Sequence, residues 1–223
     1  NQPVVSAARL TAESSYQELQ AEKLYAQAFE YYRQGELHDV KPLVETLAKQ
    51  YPGTIAVRDT VRRPTVVELQ ELTRGLGPRL TVALSGPADF RSIQAAIDAA
   101  RGGELIEILD DGPYNQYVEI PRDKINLTLR GKRGRWPVVT SLVPKPERLR
   151  PVLTVEALKT RIQRLLVLKL DGLIGPCVVI SSPGPVEIRH TLLYSAGFKI
   201  VPVKAGVQVP GFSAVINRSG LWQ

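Results

Sequence analysis

From residue 105 onward the chain is a series of short β-rich runs broken by Gly and Pro. They fall at 105–109, 117–120, 126–130, 138–140, 152–155, 162–170, 177–181, 186–194, 197–201, 207–209 and 214–217. Apart from an ambiguous stretch at 156–164 no helical pattern separates them, which excludes βαβ units and leaves strands that pair directly with one another. The architectures open to such a chain are an antiparallel sandwich and a parallel β-helix. A repeat favours the second. Ile162-Gln163-Arg164, Ile188-Arg189-His190 and Ile216-Asn217-Arg218 each join an inward Ile to two polar residues at a turn and lead into an apolar stretch, and Leu129-Arg130-Gly131 reads as an earlier copy. The copies lie 26 to 33 residues apart, enough for one solenoid coil plus a loop. The expected class is α+β: an N-terminal α-helical region over 1–78, then a short right-handed parallel β-helix (solenoid) of about four coils over 79–223.

A chain of 223 residues with 43% apolar and 23% charged residues buries a full core and is neither disordered nor disulfide-stapled. No apolar run reaches the ~18 residues of a membrane helix, so no membrane span is expected. Cys177 is the single cysteine; it excludes an internal disulfide and a cysteine-based zinc site, and leaves the compartment unknown. The Asn1-Gln2-Pro3 start and the absence of Met read as a piece of a longer chain. A net charge of +7 and a pI near 9.6 suit polyanionic neighbours, whether acidic polysaccharide, nucleic acid or an anionic surface, without choosing among them.

The region 11–50 has helical periodicity, with Leu19, Leu24, Ala28, Tyr31 and Tyr32 at three- and four-residue steps, a break at Gly35, and a second run after Asp39 that carries Val40, Leu43, Val44 and Leu47 on one face. The spacing of Leu24, Ala28, Tyr31, Gly35, Val40, Val44, Leu47 and Pro52 resembles one tetratricopeptide repeat, departing from it at Gln27, Val40 and Leu47. A single such hairpin cannot bury both faces, so it is expected to pack on something else. A further helix is expected at 65–74, a strand at 80–84, and an amphipathic helix at 89–101 with Phe90, Ile93, Ile97 and Ala100 on one face.

Four stretches carry a second resemblance: Phe90-Arg91-Ser92-Ile93-Gln94-Ala95-Ala96-Ile97-Asp98-Ala99-Ala100; Gly103-Glu104-Leu105-Ile106-Glu107-Ile108; Gly112-Pro113-Tyr114-Asn115-Gln116-Tyr117-Val118-Glu119-Ile120; and Asn126-Leu127-Thr128-Leu129-Arg130-Gly131. Together they resemble the opening of the pectin-lyase-like superfamily of right-handed parallel β-helices, and especially its pectinesterase-like start. The resemblance implies that the helix covers the N-terminal mouth of the solenoid and that the following strand begins the first coil; it also leans towards an extracytoplasmic setting. Activity does not follow, because catalytic and non-catalytic solenoids share this opening. After Ser141 there is no Gln-Asp-Thr, no Asp-Phe followed by Gly and no Gly-Arg-Pro-Trp; Gly134-Arg135-Trp136-Pro137 is only superficially similar to the last and lies too early. The acids Glu119, Glu156, Asp171 and Glu187 are scattered.

No cofactor and no metal are expected: His38 and His190 lie in different regions, and Asp110-Asp111 before Gly112-Pro113 reads as a turn former. The distinctive polar feature is a basic edge, Arg130, Arg164, Arg189, His190 and Arg218 in the repeated turn positions beside the loop of Lys132, Arg133, Arg135 and Trp136. These residues are the candidate ligand-binding set. They support a non-catalytic binding or scaffold module of a larger bacterial multidomain protein, recognising an acidic polysaccharide or a protein partner, with further coils or another chain covering the C-terminal end of the solenoid. The alternatives are a carbohydrate-active enzyme of pectinesterase or lyase type, and nucleic-acid binding through the basic edge.

Overall fold

A computed structural model describes residues 2–141, 150–169, 176–194 and 198–200. The chain divides into two compact units, 1–76 and 77–223. Among the described residues no helix is long and apolar enough to cross a membrane.

In the first unit α1 (Gln2–Arg33) turns back through Gly35, at φ +74°, into α2 (Leu37–Gln50). The second helix starts two residues before Asp39, with Glu36 at its N-cap, and Pro42 lies within it. Ala21, Tyr25 and Ala28 of α1 pack with Val40, Val44 and Leu47 of α2, and a short α3 (Ile55–Arg58) and α4 (Val66–Thr73) complete the core with Ala56, Val66 and Leu69. Thr65 and Glu68 close α4 with a reciprocal capping box. Arg62 fastens the connector to α1, gripping Glu22 at 2.7 and 3.0 Å while its guanidinium lies 4.7 Å from the Tyr25 ring centroid.

The second unit is a parallel β-helix of four coils. Each coil contributes one strand to each of three parallel sheets, and β1, ahead of the first coil, adds a fifth strand to sheet A. Sheet A is β1 (Arg79–Val82), β2 (Leu105–Ile108), β5 (Thr128–Gly131), β8 (Thr160–Gln163) and β11 (Val186–Arg189). Sheet B is β3 (Tyr114–Asn115), β6 (Val138–Ser141), β9 (Leu166–Lys169) and β12 (Leu192–Tyr194); sheet C is β4 (Val118–Ile120), β7 (Leu153–Val155), β10 (Val178–Ile180) and β13 (Phe198–Ile200). The triplets occupy successive rungs, with Leu129 opposite Ile162 and Ile162 opposite Ile188. The copy at Ile216-Asn217-Arg218 and the runs at 207–209 and 214–217 lie outside the described residues.

Alternation sends every second residue inward. Ile106, Leu129, Ile162 and, one rung on, Ile188 build a column in one core with Val118, Ile120, Val139, Val152, Val155 and Val167. The N-terminal mouth is closed by α5 (Ile93–Ala99), whose Ile93, Ala96 and Ile97 join the same core. This helix begins later than its periodicity implies: Ser92 is the N-cap, and Phe90 is extended, bridging Val82. Asp89 is drawn out of the helix because its carboxylate accepts from the Thr81 amide and hydroxyl at 2.8 and 2.7 Å.

The runs at 162–170 and 186–194 are not single strands. Arg164 and His190, at φ +53° and +49°, bend each of them from sheet A into sheet B. Gly131 precedes the corresponding corner one coil earlier, and a Cβ there would lie 2.4 Å from the Arg164 carbonyl oxygen and 2.5 Å from Pro137 Cδ. The 156–164 stretch holds β8 rather than a helix.

On the opposite face of sheet A, Glu107, Arg130, Gln163 and Arg189 are in register. Glu107 accepts from Arg130 at 2.9 Å and from Arg79 at 3.0 Å, and Glu107 and Arg130 are both buried. Glu107→Gln is expected to cost about 3–5 kcal/mol, because it strips a buried guanidinium of its counter-charge, and Gly131→Ala about 1–3 kcal/mol through overpacking. Thermal unfolding followed by circular dichroism should rank them in that order.

Candidate functional site

The corner between sheets A and B carries five of the candidate basic residues. One coil crosses it by Leu109 to Pro113, the next by Lys132 to Pro137, the third by Arg164 and Leu165, and the fourth by His190 and Thr191. Neighbouring rungs are ~4.8 Å apart, so Lys132, Arg133, Arg135, Trp136, Arg164 and His190 form one ridge. Lys132, Arg133, Arg135 and His190 are exposed, and Trp136 shows half of its surface.

Asp111 holds this ridge in place, and its neighbour Asp110 fixes the turn that carries it. Asp111 accepts from the Trp136 amide at 2.8 Å and from Arg135 at 3.0 Å, and its backbone oxygen accepts from Val138 N. The Trp136 N–H and then the Arg135 guanidinium hold the Asp111 carboxyl below the usual carboxylate range. Asp110 accepts from the Tyr114 hydroxyl at 2.5 Å and the Leu84 amide at 2.7 Å, and burial, with the bond to Asp110, pushes the Tyr114 phenol up. The Asp110-Asp111 pair is therefore an anchor between coils. Arg164 donates from Nε to the Gly131 carbonyl at 2.9 Å, which ties the third corner to the second.

The remaining sequence candidates lie elsewhere. Arg130 is in the buried pair with Glu107, which corrects its expected place on an open edge; as a charge facing away from the apolar core it is held by the carboxylate one rung below. Arg189 contacts Glu187, which Arg161 also approaches at 3.5 Å. Burial draws the Arg161 guanidinium below its ordinary value, with Glu187 opposing. Arg218 lies outside the described residues. Among the described residues no group of three His, Cys, Asp or Glu is placed to hold a metal.

The sequence reading missed a second polar site, a pocket of about 330 Å³ beside α5. Gln94, Asp98, Tyr117, Glu119, Pro121 and Arg150 line it. The Arg150 guanidinium lies over the Tyr117 ring, 4.5 Å from its centroid, and 3.6 Å from Glu119. Gln94 donates to Asp98 at 2.8 Å and to the Glu119 carbonyl at 3.1 Å, and accepts from the Glu119 amide at 2.8 Å. The only local signal is the Gln94/Asp98 spacing on one helix face; Arg150 arrives from the next coil.

No protein-family model matches the chain. A curated relative, described as a probable pectinesterase/pectinesterase inhibitor from Arabidopsis thaliana, is 32% identical over 84 residues, 36% of this chain and 14% of that protein. Over that stretch the chain is similar in sequence to a pectinesterase, and its second unit is a parallel β-helix. Among solved structures, a pectin methylesterase from carrot superposes on 52% of this chain and 39% of its own, with a TM-score of 0.44 and 18% identity. In both comparisons the chain spans well under two thirds of the relative's length.

The Asp111 anchor has a defined pH dependence. Its folded value is lowered, so its stabilisation is complete above the ordinary carboxylate value of about 3.9 and is lost as pH falls through the depressed folded value. The Trp136 indole NMR signal, assigned with Trp136→Phe, should titrate with a midpoint below about 3.9, and Asp111→Ala should abolish that transition while shifting the signal at neutral pH.

Proposed function

We propose that the β-helix is a non-catalytic binding module for an acidic polysaccharide of the pectic class, held along the ridge between sheets A and B. The observation that carries this reading is the ridge itself: the exposed cations Lys132, Arg133 and Arg135 of one coil, with Arg164 and His190 at the same corner of the next two, beside the half-exposed indole of Trp136. A uronate polymer offers carboxylates to the guanidinium and ammonium groups and apolar ring faces to the indole. The similarity to a pectinesterase over 84 residues supports the choice of a pectic polymer over another polyanion. The bonds already made by Asp110 and Asp111 favour binding over turnover, since both carboxylates serve structural donors.

The competing reading is a carbohydrate-active enzyme, which the same pectinesterase match supports. It requires a carboxylate whose removal stops turnover and leaves binding in place.

Calorimetric titration with oligogalacturonates at low and high salt tests the proposal. Tight binding at low salt, weakened by added salt, is expected. The double variant Lys132→Gln/Arg133→Gln should weaken it by up to about thirtyfold, as two exposed ion pairs of up to ~1 kcal/mol each imply, and Trp136→Ala should weaken it further. Pectin or pectate turnover abolished by a single carboxylate variant, or equal affinity for a DNA duplex, would overturn it.

A further inference from the structure

We propose that the pocket beside α5 is a separate saccharide site, built for a neutral pyranose rather than an acidic one. Its charge decides the class. Two carboxylates, Asp98 and Glu119, face one guanidinium, Arg150, so the pocket carries net negative charge while the chain as a whole carries +7. A uronate would bring a third carboxylate into this space, a like-charge juxtaposition that selects against it. A neutral pyranose instead offers vicinal hydroxyls, which donate to carboxylates and accept from a guanidinium.

The polar groups are arranged before any ligand arrives. Arg150 is fixed from two sides, by the Tyr117 ring 4.5 Å away and by Glu119 at 3.6 Å, which directs its planar fork. Gln94 is locked to both backbone groups of Glu119, so the wall behind the carboxylates is rigid, and its remaining amide hydrogen bond orients Asp98. Yet Glu119 and Arg150 each keep half of their side-chain surface open. Groups so positioned lose little freedom on binding. A volume of about 330 Å³ lies at the small end of ligand pockets and limits the occupant to one or two sugar rings.

The site does not depend on the ridge, and the two are separable by experiment. Neutral disaccharides (galactobiose, cellobiose and mannobiose) and digalacturonate are titrated into the 223-residue protein, with the Gln94 side-chain amide and the Tyr117 ring followed by NMR. At least one neutral disaccharide should shift both signals, and digalacturonate should leave them in place. Asp98→Asn keeps an acceptor for Gln94 but loses the charge, and Arg150→Gln loses the fork; each should weaken the neutral sugar by about tenfold or more, the worth of one charge-assisted hydrogen bond. Lys132→Gln/Arg133→Gln should change nothing at these signals. Neutral sugars that leave both signals unmoved, digalacturonate that moves them equally, or full affinity in both pocket variants would each overturn the inference. Loss of oligogalacturonate binding in the ridge variant alone would bear only on the acidic-polymer reading.

Discussion

Strand stacking in parallel register is the constraint from which the rest of the solenoid follows. Because each residue sits directly above its counterpart in the previous coil, a position must tolerate its own kind every ~4.8 Å. Apolar positions satisfy this at once, hence the column through Ile106, Leu129 and Ile162. Charged positions do not, since like charges at one rung's distance repel. The column on the other face of sheet A resolves this by changing character at each step: Glu107, Arg130, Gln163, Arg189. The basic edge inferred from the triplets is therefore split, its buried member neutralised by a neighbour that the repeat itself did not include.

This explains which parts of the fold were legible. The triplets identified the rungs because an inward Ile or Leu ahead of a corner recurs from coil to coil, and that recurrence is a property of the sequence. The corners themselves were hidden. Arg164 and His190 adopt left-handed backbone, a conformation that Gly or Asn advertises and Arg or His does not, so two strands looked like one. Helix α5 began late for a comparable reason: the apolar spacing of Phe90 fits a helix, but the carboxylate of Asp89 is taken by Thr81 in β1, a partner eight residues away that periodicity cannot reveal.

Of the candidate site, the loop of Lys132 to Trp136 was visible as a charge cluster, and its attachment was not, because Asp111 reaches it from the preceding coil. The polar pocket was invisible for the same reason in stronger form. Its members come from α5, from the stretch at Tyr117 to Pro121 and from Arg150, and only coil closure brings them together. Side chains scattered at coil distance in sequence carry no local signature, even when they stack within a few ångströms in space.

The pocket also has a structural origin that bears on its chemistry. The first strand of sheet C, β4, has no preceding coil to take up its outer backbone groups, and unpaired edges invite further strands. Gln94 supplies the missing partner, its amide donating to and accepting from the Glu119 backbone as a strand would. Beside it the Gln116 side chain ties down the start of α5, accepting from the Ser92 hydroxyl at 2.8 Å and the Gln94 backbone N–H at 3.3 Å. Capping the edge with side chains instead of a full strand leaves a recess, and the outward carboxylate of Glu119 stands at its margin. The device that ends the solenoid thus also makes a concave polar surface, whose negative charge contrasts with the cationic corner between sheets A and B.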